Sequence, residues 1–224
     1  YKKEDGLSSL NINALLIDEN DVLWLGMEEG EINFFDLKAQ TINNQYIDNY
    51  DILSFQDNLS NVTALAGEGE NYFLACQKQM QWGLVQFVRK NNTYLYKDYY
   101  FTFPENIAPI QDILLKNDSI YVATQDGIFV SNYVDANLKN PEQWHKLDSP
   151  GGFNVHNMVE LDGQLYAVAN SSLYQIDNVE LEAVSNNLNG ELENIYAAES
   201  GLWLTTDSKV YVYNNGQNQI VNHE

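Results

Sequence analysis

The sequence is poor in several kinds of residue, and each scarcity narrows the reading. Cys76 is the only cysteine among 224 residues, so no disulfide can form within the chain and no cysteine-based metal cluster can be built. Its setting, Phe73-Leu74-Ala75-Cys76, reads as a buried strand with an inert thiol. Arg89 is the only arginine, beside ten lysines, against 32 acidic residues and a net charge of −21. Gripping nucleic acid takes clustered Lys and Arg to neutralise phosphates, so a nucleic-acid partner is excluded. Adsorption to a bare anionic membrane is disfavoured for the same reason. No apolar run approaches the roughly 18–20 residues that span a bilayer, so direct membrane insertion is not expected. No stretch sustains helical periodicity. The chain begins at Tyr1 without a leader, which reads as a processed product or an excised segment.

Aromatics are plentiful. They make up 12% of the chain, with 15 tyrosines, and hydrophobic residues reach 44%. That is the composition of a folded β-rich protein, with Asn, Asp and Gly supplying turns. A unit recurs: Val22-Leu23-Trp24-Leu25-Gly26, Asn71 to Cys76, Ser119 to Thr124, Gln164 to Ala169, and Gly201 to Thr206. Its central aromatics, Trp24, Phe73, Tyr121, Tyr166 and Trp203, are 49, 48, 45 and 37 residues apart. Each copy is preceded by an apolar strand (12–17, 62–66, 110–115, 158–161, 195–198) and a short polar turn. Each is followed by a third strand (32–37, 84–88, 128–133, 173–176, 210–213). A more polar fourth strand is visible at 44–47, 93–98 and 219–223.

Four antiparallel strands at this period are the blade of a β-propeller. A single blade cannot bury both its faces, whereas blades packed face to face around an axis can. The expected blades are 12–60, 61–109, 110–153, 154–190 and 191–224, with 1–11 as the outer strand and loop of a preceding blade. Five blades plus a stray outer strand at 1–4 suggest a segment of a propeller with six or seven blades, or of a multi-propeller protein. A closed five-bladed ring is the alternative.

Residues 6–36 carry a further signal. Gly6-Leu7, the strand 12–17, Asp18, Leu23-Trp24-Leu25-Gly26 and Gly30 resemble the two-component-regulator-propeller repeat of Bacteroidetes proteins. Met27 stands where that repeat has Thr; Gly201 to Thr206 matches again, with Thr205 in place of Gly. The stretch Gly127 to Val155, with its insertion containing Leu138, Asn140-Pro141 and Trp144, resembles the PorZ family of the type IX secretion system. That resemblance implies a paired-propeller protein of the outer-membrane surface, with protein partners there and a role around anionic lipopolysaccharide or other surface glycan. It implies an extracytoplasmic location, in the periplasm or on the outer membrane. Repeats of this kind also form the periplasmic ligand-sensing part of hybrid two-component histidine kinases.

Binding residues are sought at the channel, on and around the inner strands: Asn13, Thr63, Asp112, His156, Glu160 and Glu193. Asp112, Glu160 and Glu193 could imitate the paired carboxylates of a glycan-processing propeller enzyme, but three acids near strands are expected by chance in so acidic a chain. His145, His156 and His223 have no zinc-site spacing. Asp18-Glu19-Asn20-Asp21 has Val22 and Leu23 where a calcium loop needs a ligand and a glycine, so it reads as a hairpin turn. Ser8-Ser9 and Ser171-Ser172 lack a nucleophile elbow, and Gly151-Gly152 is no phosphate loop. Trp82 and Trp144 read as packing residues before sugar platforms. The expectation is a non-catalytic binding propeller with no cofactor and no metal.

Overall fold

A computed structural model of the chain describes residues 7, 9–38, 59–149, 153–177, 180–184, 188–214 and 217–221. The fold is an all-β propeller of five antiparallel blades. The first holds β1 (Ile12–Ile17), β2 (Val22–Met27) and β3 (Ile32–Asp36). The second holds β4 (Leu59–Glu68), β5 (Asn71–Lys78), β6 (Gln81–Lys90) and β7 (Thr93–Tyr100). The third holds β8 (Ile110–Lys116), β9 (Ser119–Thr124), β10 (Gly127–Asn132) and β11 (His145–Lys146), with one 3-10 turn at Pro141–Gln143. The fourth holds β12 (Val155–Leu161), β13 (Gln164–Ala169), β14 (Ser172–Ile176) and β15 (Leu181–Ala183). The fifth holds β16 (Leu192–Ala198), β17 (Gly201–Thr206), β18 (Val210–Asn214) and β19 (Gln217–Ile220). The fourth strand expected at 44–47 and the outer strand expected at 1–4 lie outside the described residues.

Turn chemistry fixes the hairpins. Asn91-Asn92, Asn117-Asp118, Asp162-Gly163 and Asn170-Ser171 all have positive φ at both positions, the geometry whose twist matches paired strands and which Asn, Asp and Gly tolerate. The second strands, packed on both faces, read as near-continuous apolar runs: β5 is buried from Tyr72 through Cys76.

Blades meet through apolar layers, with inner strands neighbouring in the order β1, β4, β8, β12, β16. Trp24, Phe34, Tyr72, Leu74, Phe87 and Tyr94 join the first blade to the second. Phe73, Leu84, Ile113, Val122, Phe129 and Trp144 join the second to the third. Phe153, Val155, Met158 and Leu165 join the fourth blade to the third, and Val168, Ile195, Leu202 and Leu204 join it to the fifth. Gly26 has a steric reason: a methyl there would collide with Val62 of the next inner strand.

The repeated aromatic always projects from the face turned to the next blade, but its burial declines along the chain. Trp24 and Phe73 are 1% exposed. Tyr121, Tyr166 and Trp203 are only half-buried, and Ala123 and Val168 supply fully buried contacts on the same face in the third and fourth blades. The insertion ahead of β11 is a packing device. Trp144 donates its indole N–H to the Leu138 carbonyl at 3.0 Å and lies against Phe103. Trp82 is half-buried against the same cluster. Cys76 is fully buried, and burial pushes its thiol up to about 12.

Candidate functional site

Every inner strand carries a register break at its start: between Ile12 and Ala14, Ser60 and Ala64, Ile110 and Asp112, Val155 and Asn157, and Leu192 and Asn194. The bulged residues are Asn13, the Asn61-Val62-Thr63 stretch, Gln111, His156 and Glu193. Bulges turn side chains off the regular alternation, so polar residues collect at one end of the inner strands, where apolar patterning had to lapse. The inner strand is also a sheet edge whose outward N–H and C=O groups need partners.

Side chains of this rim supply them. Thr63 donates its hydroxyl to the Ile110 carbonyl at 2.8 Å, from the second blade to the third. Gln111 donates to the Asn154 side chain at 2.5 Å, from the third to the fourth. One Asp112 oxygen accepts the Met158 backbone N–H at 2.6 Å and, more weakly, the Asn157 amide at 3.5 Å; the other accepts the N–H of Ile113 at 2.9 Å. Asn157 passes the pattern on, its carbonyl oxygen accepting the Ile195 N–H at 2.9 Å. The His156 ring nitrogen Nε2 lies 2.6 Å from the Glu193 carbonyl oxygen, a distance that requires the N–H tautomer there. Burial pushes the Asp112 carboxyl up to about 7, against the pull of the Met158 and Ile113 amides and the Asn157 side chain.

Five of the six residues sought at the channel therefore sit at the bulged ends. Asn13 is exposed there, Thr63, Asp112 and His156 bridge blades, and Glu193 is exposed and contributes its backbone. Glu160 does not join them. It lies four residues beyond His156, about 13 Å along an extended strand, at the β12–β13 turn. There it accepts the Gly163 N–H, and Lys116 lies 4.0 Å away. The three carboxylates of Asp112, Glu160 and Glu193 are thus divided between the two ends of the inner strands. Among the described residues, no three of His, Cys, Asp and Glu come together as a metal ion would require.

Sequence reasoning passed over Asn157, Gln111 and Asn154. Their signal was available in retrospect: each follows or flanks the point where strand alternation breaks. Asp18, read as part of the repeat and of a hairpin turn, is in addition buried between the first two blades. Its carboxylate accepts the N–H groups of Asn20 (2.8 Å) and Val22 (3.0 Å), the Trp24 indole (3.3 Å) and the Tyr94 hydroxyl. Burial works to raise its pKa, but the donors, Tyr94 foremost, outweigh burial and hold it below the ordinary carboxylate value. Tyr72 is pushed up to about 12 by burial beside the same carboxylate. The Asp18 to Asp21 turn is therefore a hairpin anchored in a blade junction.

Comparison with solved structures finds this fold repeatedly. PorZ, an essential bacterial surface component of the type IX secretion system of Porphyromonas gingivalis, superposes with a TM-score of 0.65 at 17% identity, covering 99% of this chain and 28% of that one. The extracellular domain of a hybrid two-component system from B. thetaiotaomicron gives 0.69 at 17%, covering 98% and 29%. A Thermus protein described as an oxidoreductase (glucose dehydrogenase) gives 0.55 at 9%, covering 96% and 84%. At these identities the likeness is one of fold, and this chain spans under a third of the PorZ and two-component proteins. No curated protein matches the sequence. Residues 102–224, over half the chain, match the model of the DUF6242 beta propeller domain, and the chain belongs to that family.

Proposed function

We propose that this propeller acts by binding, without catalysis of its own, outside the cytoplasm and at the outer-membrane surface, as a scaffold of the PorZ type. The observation that carries this reading is the use of the channel-end polar groups. Thr63, Asp112, Asn157 and His156 are engaged in hydrogen bonds from blade to blade. A general acid and base must instead be free to reach a substrate at a fixed mutual separation, and Glu160 stands at the other end of its strand. The resemblance of residues 6–36 and 127–155 to surface propellers, together with the fold shared with PorZ, supports the location and the class of partner.

Protein partners suit the molecule better than bare anionic glycan. With a net charge of −21, the surface repels a polyanion unless divalent cations bridge the two. The second reading is a ligand-sensing propeller of a hybrid two-component kinase, favoured by the superposition on the B. thetaiotaomicron extracellular domain. Affinity purification of the tagged protein from fractionated native cells separates them. Recovery with outer-membrane proteins supports the scaffold. Strict fractionation with the inner membrane overturns it in favour of the sensor. Hydrolysis of any member of a glycan panel, abolished by Glu160→Gln or Asp112→Asn, would overturn both.

A further inference from the structure

The face of the fifth blade that turns away from the fourth is built like a blade junction, and among the described residues nothing is packed on it. On the side toward the fourth blade, Leu192, Ile195, Leu202, Leu204 and Tyr211 are all buried. On the opposite side, Tyr196 is 68% exposed, and Trp203, Thr205, Val210 and Val212 are only half-buried. The register equivalents of Thr205 (Ala75, Ala123 and Val168) and of Val210 (Leu84, Ile128 and Leu173) are fully buried in the second, third and fourth blades, and Trp24 and Phe73, equivalent to Trp203 in the first and second, are 1% exposed. Trp203 pairs with Tyr196 across β17 and β16 as Trp24 pairs with Leu16 across β2 and β1. Tyr196, Ala198, Glu199, Ser200 and Trp203 line an open depression of about 600 Å³.

Polar geometry identifies the occupant. Asp112, Asn157 and Asn194 hold the same place, the first paired residue after the bulge, opposite Ala123, Val168 and Thr205. Asp112 accepts the Met158 amide of the next inner strand, and Asn157 accepts that of Ile195. Asn194 is the next rung. It is exposed, and among the described residues nothing takes up its side chain. An acceptor at that register, flanked by an open aromatic face, fits the leading edge of another inner strand.

We infer that this face, with Asn194, Tyr196 and Trp203 at its centre, docks a further four-stranded blade of the same polypeptide, outside these 224 residues, whose inner strand donates a backbone N–H to the Asn194 carbonyl oxygen. The first blade of this chain does not fill the place. Its Leu15, equivalent to the buried Leu65, Ile113, Met158 and Ile195, is 64% exposed, as is Ile17 at 61%. The PorZ and two-component proteins of the same fold, of which this chain covers 28% and 29%, have ample chain to supply a blade.

The test compares the protein purified intact from its native cells with the 224-residue chain. Hydroxyl-radical footprinting reads the oxidation of Tyr196 and Trp203, with buried Trp24 as internal reference, and carbodiimide cross-linking reads what lies beside Glu193 and Glu199. The expected result is several-fold less oxidation of Tyr196 and Trp203 in the cell-made protein, with cross-links to a β segment of the same polypeptide. Equal oxidation in the two would overturn the inference. So would protection accompanied by cross-links to the β1 region of a second copy or to a different protein.

Discussion

Trp24 and Trp203 occupy the same position of the repeat, and substituting each with alanine should give very different costs. Trp24 is 1% exposed. It stacks on Tyr72 at 4.8 Å and meets Phe34 and Tyr94 edge-on at 4.4 and 4.6 Å. Truncating a buried tryptophan costs about 3–5 kcal/mol from lost transfer energy and the cavity left behind. Loss of the indole N–H to Asp18 adds about 1 kcal/mol, because a buried carboxylate then has one donor fewer. Trp24→Ala should therefore cost roughly 5 kcal/mol, a large part of a typical folding free energy. For a chain of this length that lowers the melting temperature by roughly 10–20 °C. Trp203 is half-buried on an open face and makes one hydrogen bond, to Ser200 at 2.9 Å. In the 224-residue chain Trp203→Ala should cost about 1 kcal/mol or less. Urea denaturation followed by circular dichroism measures both, with an unchanged m-value confirming that the same surface unfolds. Costs within about 1 kcal/mol of each other would refute the reasoning, since the two sites would then be equally packed.

Three other perturbations follow from the junctions. Asp112 holds its proton to about pH 7 when folded but to about pH 4 when unfolded. The folded state thus binds the extra proton between these values, and its stability falls as pH rises through that window; Asp112→Asn should flatten this part of a melting-temperature profile from pH 4 to 8. Asp18 has the opposite sign: its lowered folded pKa contributes stability above the unfolded value that is lost as pH falls through the folded one. Asp18→Asn should destabilise by about 2–3 kcal/mol at pH 7 and should reduce the acid sensitivity seen below about pH 4. Asn157→Ala removes the acceptor of the Ile195 amide at about 1–2 kcal/mol. It should speed hydrogen exchange in β16 while leaving β4 and β5 unchanged; uniform acceleration would show the rung to be unimportant.

The strands were legible because apolar periodicity and turn chemistry agree. The segment 12–17 was bounded exactly, and the Asn, Asp and Gly pairs at the hairpins marked where chains reverse. The inner strands β12 and β16 were started three residues late, at Met158 and Ile195 rather than Val155 and Leu192. The cause is the bulge: one extra residue shifts the alternation by one, so His156-Asn157 and Glu193-Asn194 fell outside the strand bounds. The same shift hid the ladder from Asp112 to Asn157. Glu160 was grouped with Asp112 and Glu193 as a carboxylate near the inner strands, but sequence alone does not say which end of a strand a residue occupies, and four extended residues separate Glu160 from the bulged end at His156.

A propeller reads out weakly in function because its repeat records blade packing and not ligand contact. Trp24, Phe73 and Gly26 are explained by the neighbouring blade. Even the polar exceptions, Asp18 and Asp112, turn out to hold blades together. What a binding partner would meet is what remains after this use: the exposed Asn13 and Glu193 at the bulged ends, the strongly acidic surface, and the hairpin tips at the opposite ends of the inner strands. Loops on a rigid scaffold are where recognition concentrates. The most informative departures from the repeat are therefore the places where a junction residue lacks its junction. Leu15, Tyr196 and Asn194 are such places. Each carries the side chain that blade packing calls for, at the two faces where the described residues offer no blade to receive it.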